Sequence, residues 1–142
     1  GRISELTALI SNNIDLENAQ VFFTGSSTKS GQRRFVPLRA YAVEEIKTWG
    51  LEDDKKIFHW QYASNASKIF RRFLHELDLW KTRSGTRSFH TLRHTYASHL
   101  LMSGINIFTV SRWLGHSTVN VTEKHYGHLI PNSVEVKLPW QT

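Results

Sequence analysis

The sequence predicts a mostly α-helical α+β domain with a small antiparallel β-sheet near the N-terminus. Two runs rich in β-branched and aromatic residues, 19–24 and 33–38, flank the polar, glycine- and serine-containing segment 25–31, a pattern typical of a β-hairpin. Much of the remaining chain carries apolar residues at helical spacing. The chain has 142 residues, 39% of them hydrophobic, which is enough for the core of one domain.

The first half of the chain should contain three helices around this hairpin. Leu6, Leu9 and Ile10 give a helical apolar stripe at the start, and Pro37 should end the second strand because proline has no amide hydrogen to donate. A helix is expected over 40–49, where Gly50 stops it, and a longer one over 64–79. The inner side of that longer helix is predicted to carry Ile69, Phe70, Phe73, Leu74 and Leu77. A basic loop, 81–88, should follow.

The segment from 88 to 126 is divided by helix caps into three short helices. Ser88 can cap a helix that runs to Ser103 and stops at Gly104. Asn106 can cap a second helix that Gly115 ends. Either Ser117 or Thr118 can cap a third that leads to Tyr126. On the first of these helices, Leu92, Tyr96 and Leu100 are expected to form an apolar stripe.

Composition narrows the functional class. The sequence has no cysteine, which excludes disulfides, a thiolate nucleophile and a cysteine-containing zinc site. No apolar run approaches the roughly 20 residues that cross a bilayer, and the first residues show no signal-peptide pattern, so a cytoplasmic protein is the default expectation. The net charge of +6 favours a polyanionic partner only moderately.

Basic residues are concentrated in the middle of the chain. Between Lys55 and Arg93 lie nine lysines or arginines against two acids, Glu76 and Asp78. A cluster of this kind is either a solvated surface or a surface that contacts the nucleic-acid backbone. It directly precedes a group of histidines and arginines, which favours the second interpretation.

His90, Arg93 and His94 are spaced so that they project from one side of a helix near its N-terminus. The helix dipole places partial positive charge at that end, which suits a phosphate. Taken alone, such a group is more often a surface or capping feature. His90 and His94 also have the spacing of two zinc ligands, but no glutamate follows His90 and no nearby acid completes a ligand set.

The segments His90-Thr91-Leu92-Arg93-His94 and Leu114-Gly115-His116, followed by Tyr126, resemble the active site of the tyrosine recombinases, or phage integrases. The resemblance extends upstream to Arg2-Ile3-Ser4-Glu5-Leu6 and to Lys29 in the hairpin turn, and it covers nearly the whole chain. It implies the catalytic-domain fold of that family. The site residues that it implies are Arg2, Lys29, His90, Arg93, His116 and Tyr126.

The resemblance also implies their roles. Tyr126 would attack a DNA phosphate, and Arg2 and Arg93 would hold the charge that develops on the phosphoryl oxygens without a metal or other cofactor. Lys29 would be the general acid. His90 would be the base and His116 a hydrogen-bond donor to phosphate. His116 and Tyr126 are ten residues apart, one more than is usual in the family.

The same resemblance implies a longer enzyme and an assembly. We expect residues 1–142 to be a single catalytic domain, truncated at its N-terminal side and lacking the domain that clamps the far side of the duplex. The expected partners are double-stranded DNA attachment sites and further copies of the protein, in a tetramer to which 131–142 could contribute contacts. The fragment alone could be a monomer.

Four alternatives stay open from the sequence. The chain could be a DNA-binding module without turnover, or a metal-dependent hydrolase that uses some of its eight histidines. Tyr126 could be a core tyrosine beside His125 and His128. His94 and His99 are assigned to structural hydrogen bonds, and Lys29 could belong to a charged hairpin with no catalytic role.

Overall fold

The computed structural model describes residues 1–24, 33–60, 62–82 and 85–130. Within them the structure is mostly helical with small antiparallel sheets, which confirms the predicted α+β class. The helices are α1 (Ile3–Thr7), α2 (Ala40–Lys47), α3 (Ala63–Glu76), α4 (Phe89–Met102), α5 (Ile107–Leu114) and α6 (Val119–Tyr126). The strands are β1 (Ile14–Asp15), β2 (Gln20–Phe23), β3 (Arg34–Pro37), β4 (Lys81–Thr82) and β5 (Gly85–Thr86).

The predicted hairpin is present as β2 and β3. Its register pairs Val21 with Val36, and β1 adds a short antiparallel edge on the other side of β2. Val21, Phe23 and Val36 alternate with more exposed neighbours and pack with Leu9, which follows α1, in one buried cluster. The hairpin therefore holds α1 in place. The turn that carries Lys29 lies outside the described residues.

The three C-terminal helices begin and end where the caps predict. The Asn106 side chain accepts the Phe108 amide hydrogen at 2.9 Å, and both Gly104 and Gly115 have positive φ, a conformation that glycine adopts at little cost. Packing of α4, α5 and α6 buries a second cluster, made of Ala97, Leu101, Val110, Leu114 and Tyr126. The ends of these helices are consequently fixed relative to one another.

Three local predictions were wrong. On α3, Leu74 is buried but Ile69, Phe73 and Leu77 are about half exposed, because only the narrow line through Ala66 and Leu74 is covered by described residues. The segment predicted as a basic loop contains the two-stranded sheet β4–β5.

On α4 the predicted apolar stripe was wrong at Leu92, although Leu100 packs against the core. Leu92 is 52% exposed, whereas Ala97 and Leu101 form the buried side that faces α5 and α6. Ala97 is fully buried but small, so a stripe counted from large side chains misses it. Within the described residues, no helix has the length and apolar character needed to cross a membrane.

Candidate active site

Three arginines converge on the last carbonyl groups of α5. Arg34 Nε donates to the Trp113 carbonyl oxygen at 3.0 Å, and Arg93 Nη2 donates to that of Leu114 at 2.6 Å. Arg2 Nη2 donates to the carbonyl oxygen of Gly115 at 3.3 Å. The last carbonyls of a helix lack partners within it and carry its partial negative charge, so this end binds cations. The end of α5 thus brings together guanidinium groups from α1, β3 and α4.

Gly115 makes this arrangement possible. Its φ of 69° ends α5 in the left-handed conformation. A Cβ atom added at this position would lie 2.8 Å from the Arg34 guanidinium carbon, too close for any real contact. Glycine is therefore favoured at this position both by the backbone conformation and by the approach of Arg34.

Glu5 connects two of the three arginines. Its carboxylate, 1% exposed, accepts hydrogen bonds from Arg34 Nη2 and from the Arg2 backbone amide, both at 2.6 Å, and from Arg2 Nη1 at 3.3 Å. Burial by itself would raise the pKa of Glu5, but the hydrogen bonds from Arg34 and Arg2 outweigh it and lower the pKa. Glu5 is therefore ionised at neutral pH and positions Arg2 at the start of α1.

The cluster keeps an excess of positive charge. Among the described side chains, Glu5 is the one carboxylate that forms an ion pair with any of these arginines, and it pairs with Arg2 and Arg34 but not with Arg93. The Nη1 atoms of Arg34 and Arg93 are buried and have no hydrogen-bond partner among described residues. Unpaired buried donors are costly, so such groups complete their hydrogen bonds with ordered water, an ion or a ligand. The arrangement is suited to an anion with several oxygens.

His116 follows the α5 terminus directly and is oriented by Thr122. Its Nδ1 lies 2.7 Å from the hydroxyl oxygen of Thr122, which is fully buried on α6. Burial and the charges of Arg93 and Arg2 lower the pKa of His116 to about 4, so the ring is neutral at pH 7. If the Thr122 hydroxyl donates to Nδ1, the hydrogen of the neutral ring is on Nε2, which can then donate to an anion.

Tyr126 combines a buried ring with a polar contact. As the last residue of α6 it is 4% exposed, and its ring belongs to the core cluster of α4, α5 and α6. Its hydroxyl oxygen lies 2.5 Å from Nδ1 of His94. Burial raises the pKa of Tyr126, and the nearby charge of Arg93 opposes that rise. The ring of Tyr126 therefore lies in the core, as the alternative prediction expected. Its hydroxyl group nevertheless makes a polar contact, as expected for a nucleophile.

A cavity of about 180 Å³ lies between α1 and α4, and its lining includes Arg2, His90, Arg93 and Trp113. His90 is exposed there. Tyr126 and His116 do not line this cavity, although the charge of Arg93 acts to lower the pKa of both groups. The structure thus brings Arg2, Arg93 and His116 to one helix end, with His90 on the cavity beside two of them. The catalytic roles of the six residues stay predictions.

Sequence reasoning missed four residues of this site. Glu5 and His94 had local signals: Glu5 lies three residues after Arg2 in the first turn of a helix, and His94 lies one turn after His90. Arg34 and Thr122 had none, because their partners Glu5 and His116 are brought to them by the packing of separate elements.

Comparisons with known proteins identify the family of this chain. The model of the phage integrase family matches residues 1–132. The tyrosine recombinase XerC of Proteus mirabilis is 33% identical over 137 residues, which cover 90% of this chain and 43% of that protein. The chain therefore spans less than half the length of this relative.

Solved structures show the same fold. The catalytic domain of the bacteriophage HP1 integrase superposes with a TM-score of 0.66 at 25% identity, over 92% of this chain and 68% of that one. The Tn1549 transposon integrase, solved in complex with a circular intermediate DNA, gives a TM-score of 0.71 at 19% identity, over 89% of this chain and 50% of that one.

Proposed function

The chain belongs to the phage integrase family of tyrosine recombinases, and we propose that it is the catalytic domain of a site-specific DNA recombinase. The observation that carries this proposal is the convergence of Arg2 and Arg93 on neighbouring carbonyls beside His116. Two fixed guanidiniums, of which only Arg2 is paired with a carboxylate, form a site for a phosphodiester.

In this proposal the phosphate lies against Arg2 and Arg93. Both guanidiniums are permanently charged, so they can stabilise the extra negative charge of a five-coordinate phosphoryl group. The unpartnered Nη1 of Arg93 supplies one of the required hydrogen bonds. His116, oriented by Thr122, donates from Nε2 to a non-bridging oxygen.

Tyr126 is the proposed nucleophile. Its oxygen forms a bond to phosphorus as the bond to the 5′ oxygen breaks, and Lys29 protonates that leaving oxygen. The product is a 3′-phosphotyrosyl link and a free 5′ hydroxyl, as in type IB topoisomerases. Because the bond is exchanged and not hydrolysed, another 5′ hydroxyl can reverse the step without ATP. His90, on the cavity lining, is the base predicted from sequence.

The proposed substrate is a double-stranded DNA attachment site, and such a substrate implies action in the cytoplasm. Exposed Lys68, Arg71 and Arg72 on α3 and Lys81 on β4 belong to the basic stretch that we propose contacts the DNA backbone. The solved DNA complex of the Tn1549 integrase supports this partner. We also propose that the full protein contains a further DNA-binding domain and recombines paired sites as a tetramer.

The test is formation of a covalent protein–DNA adduct by the full-length protein. Adducts formed on sheared genomic DNA are trapped with detergent, and the attached DNA is sequenced to find the cleavage site. A nicked suicide duplex carrying that site should then accumulate an adduct whose peptide contains Tyr126. Tyr126→Phe should bind the duplex as tightly as the wild type and form no adduct.

The same assay decides between the proposal and its alternatives. A DNA-binding module without turnover would bind the duplex but form no adduct in the wild type. A metal-dependent hydrolase would cut DNA without a protein link and would stop in excess chelator. An adduct that forms at the wild-type rate in excess chelator, and through Tyr126, excludes both.

A further inference from the structure

The hydroxyl group of Tyr126 contacts His94, a residue that we assigned from the sequence to a structural hydrogen bond. His94, on α4, places Nδ1 2.5 Å from the phenol oxygen, with the ring centroids 5.6 Å apart and the rings inclined by 49°. Among the described residues, the phenol oxygen has no other hydrogen-bond partner. Tyr126 and His94 are therefore a hydrogen-bonded pair that joins the end of α6 to α4.

The direction of this hydrogen bond follows from the protonation states. A phenol with its pKa raised by burial holds its proton at pH 7. A neutral imidazole has one N–H and one nitrogen with a free lone pair. If the phenol donates to Nδ1, both groups are satisfied. The opposite direction would leave the phenolic hydrogen without an acceptor among the described residues.

We propose that His94 is a catalytic residue, the one that accepts the phenolic proton of Tyr126 when its oxygen attacks the DNA phosphate. This inference rests on the proposed function, because it requires Tyr126 to be the nucleophile. It differs from the sequence-based assignment, which gave this proton to His90.

The step balances as follows. The Tyr126 oxygen forms a bond to phosphorus, and the bond from phosphorus to the 5′ oxygen breaks. The phenolic proton passes to Nδ1 of His94, which becomes an imidazolium, and the 5′ oxygen takes a proton from a separate acid. When a 5′ hydroxyl attacks the phosphotyrosine, His94 returns the proton to the departing phenol oxygen.

The surroundings of His94 suit this task. Partial burial lowers the pKa of His94, and the neighbouring His90, His125 and Arg93 lower it further, so the ring is free to accept a proton at pH 7. The side chain is still exposed to solvent, which allows the proton to exchange with water afterwards. His90 lies instead on the cavity lining with Arg2 and Arg93, a position suited to contact with the phosphate.

The hydrogen-bond direction can be measured without DNA. In the full-length protein labelled with 15N-histidine, the ring signals of His94 are identified by their loss in His94→Asn. At pH 7 the proposal expects an unprotonated Nδ1 and a protonated Nε2 in His94, with a shift of both signals in Tyr126→Phe. A hydrogen on Nδ1 of the neutral ring would overturn it, because that nitrogen could not accept the phenolic proton.

The catalytic role is tested by single-turnover adduct formation on the suicide duplex. His94→Asn keeps an acceptor near the position of Nδ1 but is not a base at neutral pH, whereas His94→Leu removes both properties. Both variants should form the adduct about 100-fold more slowly, with unchanged DNA binding. His99→Asn, at another exposed position of the same helix, is the matched control and should react at the wild-type rate.

The outcomes separate this inference from the proposed function. If the wild type forms the Tyr126 adduct and His94→Asn reacts equally fast, while His90→Asn is slow, the base is His90 and the inference is wrong. If His94→Leu alone is slow, His94 only orients the phenol and the inference is again wrong. If the wild type forms no adduct on any duplex, the proposed function fails, and this inference fails with it.

Discussion

Arg2 and Arg93 reach neighbouring carbonyls at the end of α5, but the two sides of the site are built differently. Arg93 belongs to α4, a 14-residue helix whose buried side packs against α5 and α6. Arg2 precedes α1, a helix of five residues, and its guanidinium is held by Glu5. Glu5 in turn is held by Arg34 from β3.

The two cations therefore depend on different parts of the chain. Arg93 is positioned by a long helix with its own caps, so its position follows from local sequence and from one core. Arg2 depends on an ion pair between elements that are far apart in the sequence. Changes at Glu5 or Arg34 should therefore affect the Arg2 side of the site first and leave Arg93 in place.

Removal of the Glu5 charge should have the largest effect. Glu5→Gln leaves Arg34 buried without its carboxylate and Arg2 without its anchor, and loss of one partner of a buried ion pair costs about 3–5 kcal/mol. Urea unfolding should show a decrease of that size. The double variant Glu5→Gln/Arg34→Met should recover part of the loss, because it removes the unpaired charge as well.

The matched control is an exposed ion pair of the same type. Glu44→Gln breaks the contact between Glu44 and Lys47 on α2, both more than half exposed, and should cost less than about 1 kcal/mol. If Glu5→Gln were as mild as Glu44→Gln, the carboxylate would not hold the Arg2 side together, and the contrast between the two arginines would disappear.

Lysine substitution should distinguish the two arginines in activity. Arg93 has a buried donor without a partner and no carboxylate beside it, whereas Arg2 shares its charge with Glu5. Arg93→Lys should therefore slow adduct formation by about 100-fold, and Arg2→Lys by about 10-fold, because lysine cannot bind a phosphate bidentately. Single-turnover rates on the suicide duplex measure both. Equal losses would show that Glu5 does not weaken the contribution of Arg2.

A substitution at Gly115 tests the end of α5, to which the arginines bind. Gly115→Ala introduces a Cβ into a backbone with φ of 69° and against the Arg34 guanidinium, so we expect a loss of about 2–4 kcal/mol in unfolding free energy. Gly104→Ala has a similar φ of 80° but open space around the new Cβ, and should lose only about 1–2 kcal/mol. The difference isolates the contact with Arg34. Identical losses would mean that Arg34 moves away freely.

The sequence predicted the helix ends in the C-terminal half of the candidate site because their signals are local. Asn106, Gly104 and Gly115 set the ends of the helices by their own conformational preferences. The spacing of His90 and Arg93 then predicted that both side chains project from the same side of α4. The antiparallel hairpin was equally predictable from two short β-rich runs around a polar turn.

The connections between elements could not be predicted in the same way. Nothing in the hairpin sequence distinguishes Arg34, which is buried against Glu5, from its exposed neighbour Arg33. The error on α3 has the same origin, since amphipathic spacing shows which residues share a side but not whether another element covers them. Whether His90 or His94 contacts the phenol depends on the rotation of α4 relative to α6, which only packing determines.

The smallest expected effect is a pH dependence of stability on the Arg93 side. The folded His116, with a pKa of about 4, stays neutral at pH values where the unfolded residue, near 6.5, binds a proton. The unfolded state therefore binds more protons between these values, and stability should decrease as the pH falls from 6.5 towards 4. One such proton gives at most about 1.4 kcal/mol per pH unit, and partial exposure of His116 makes the slope smaller.

Urea unfolding at several pH values compares the wild type with His116→Asn. Between pH 6.5 and 4 the stability of the variant should decrease less steeply than that of the wild type. The decrease that remains is due to His94, whose lowered pKa acts in the same direction. Below the usual pKa of glutamate, 4.5, a further decrease should appear in both proteins, because the lowered pKa of Glu5 keeps it ionised only in the folded state. Glu5→Gln should lose that second decrease and keep the first. If Glu5→Gln lost both decreases, Glu5 and His116 would titrate as one coupled unit. The Arg2 side and the Arg93 side of the site would then not be independent.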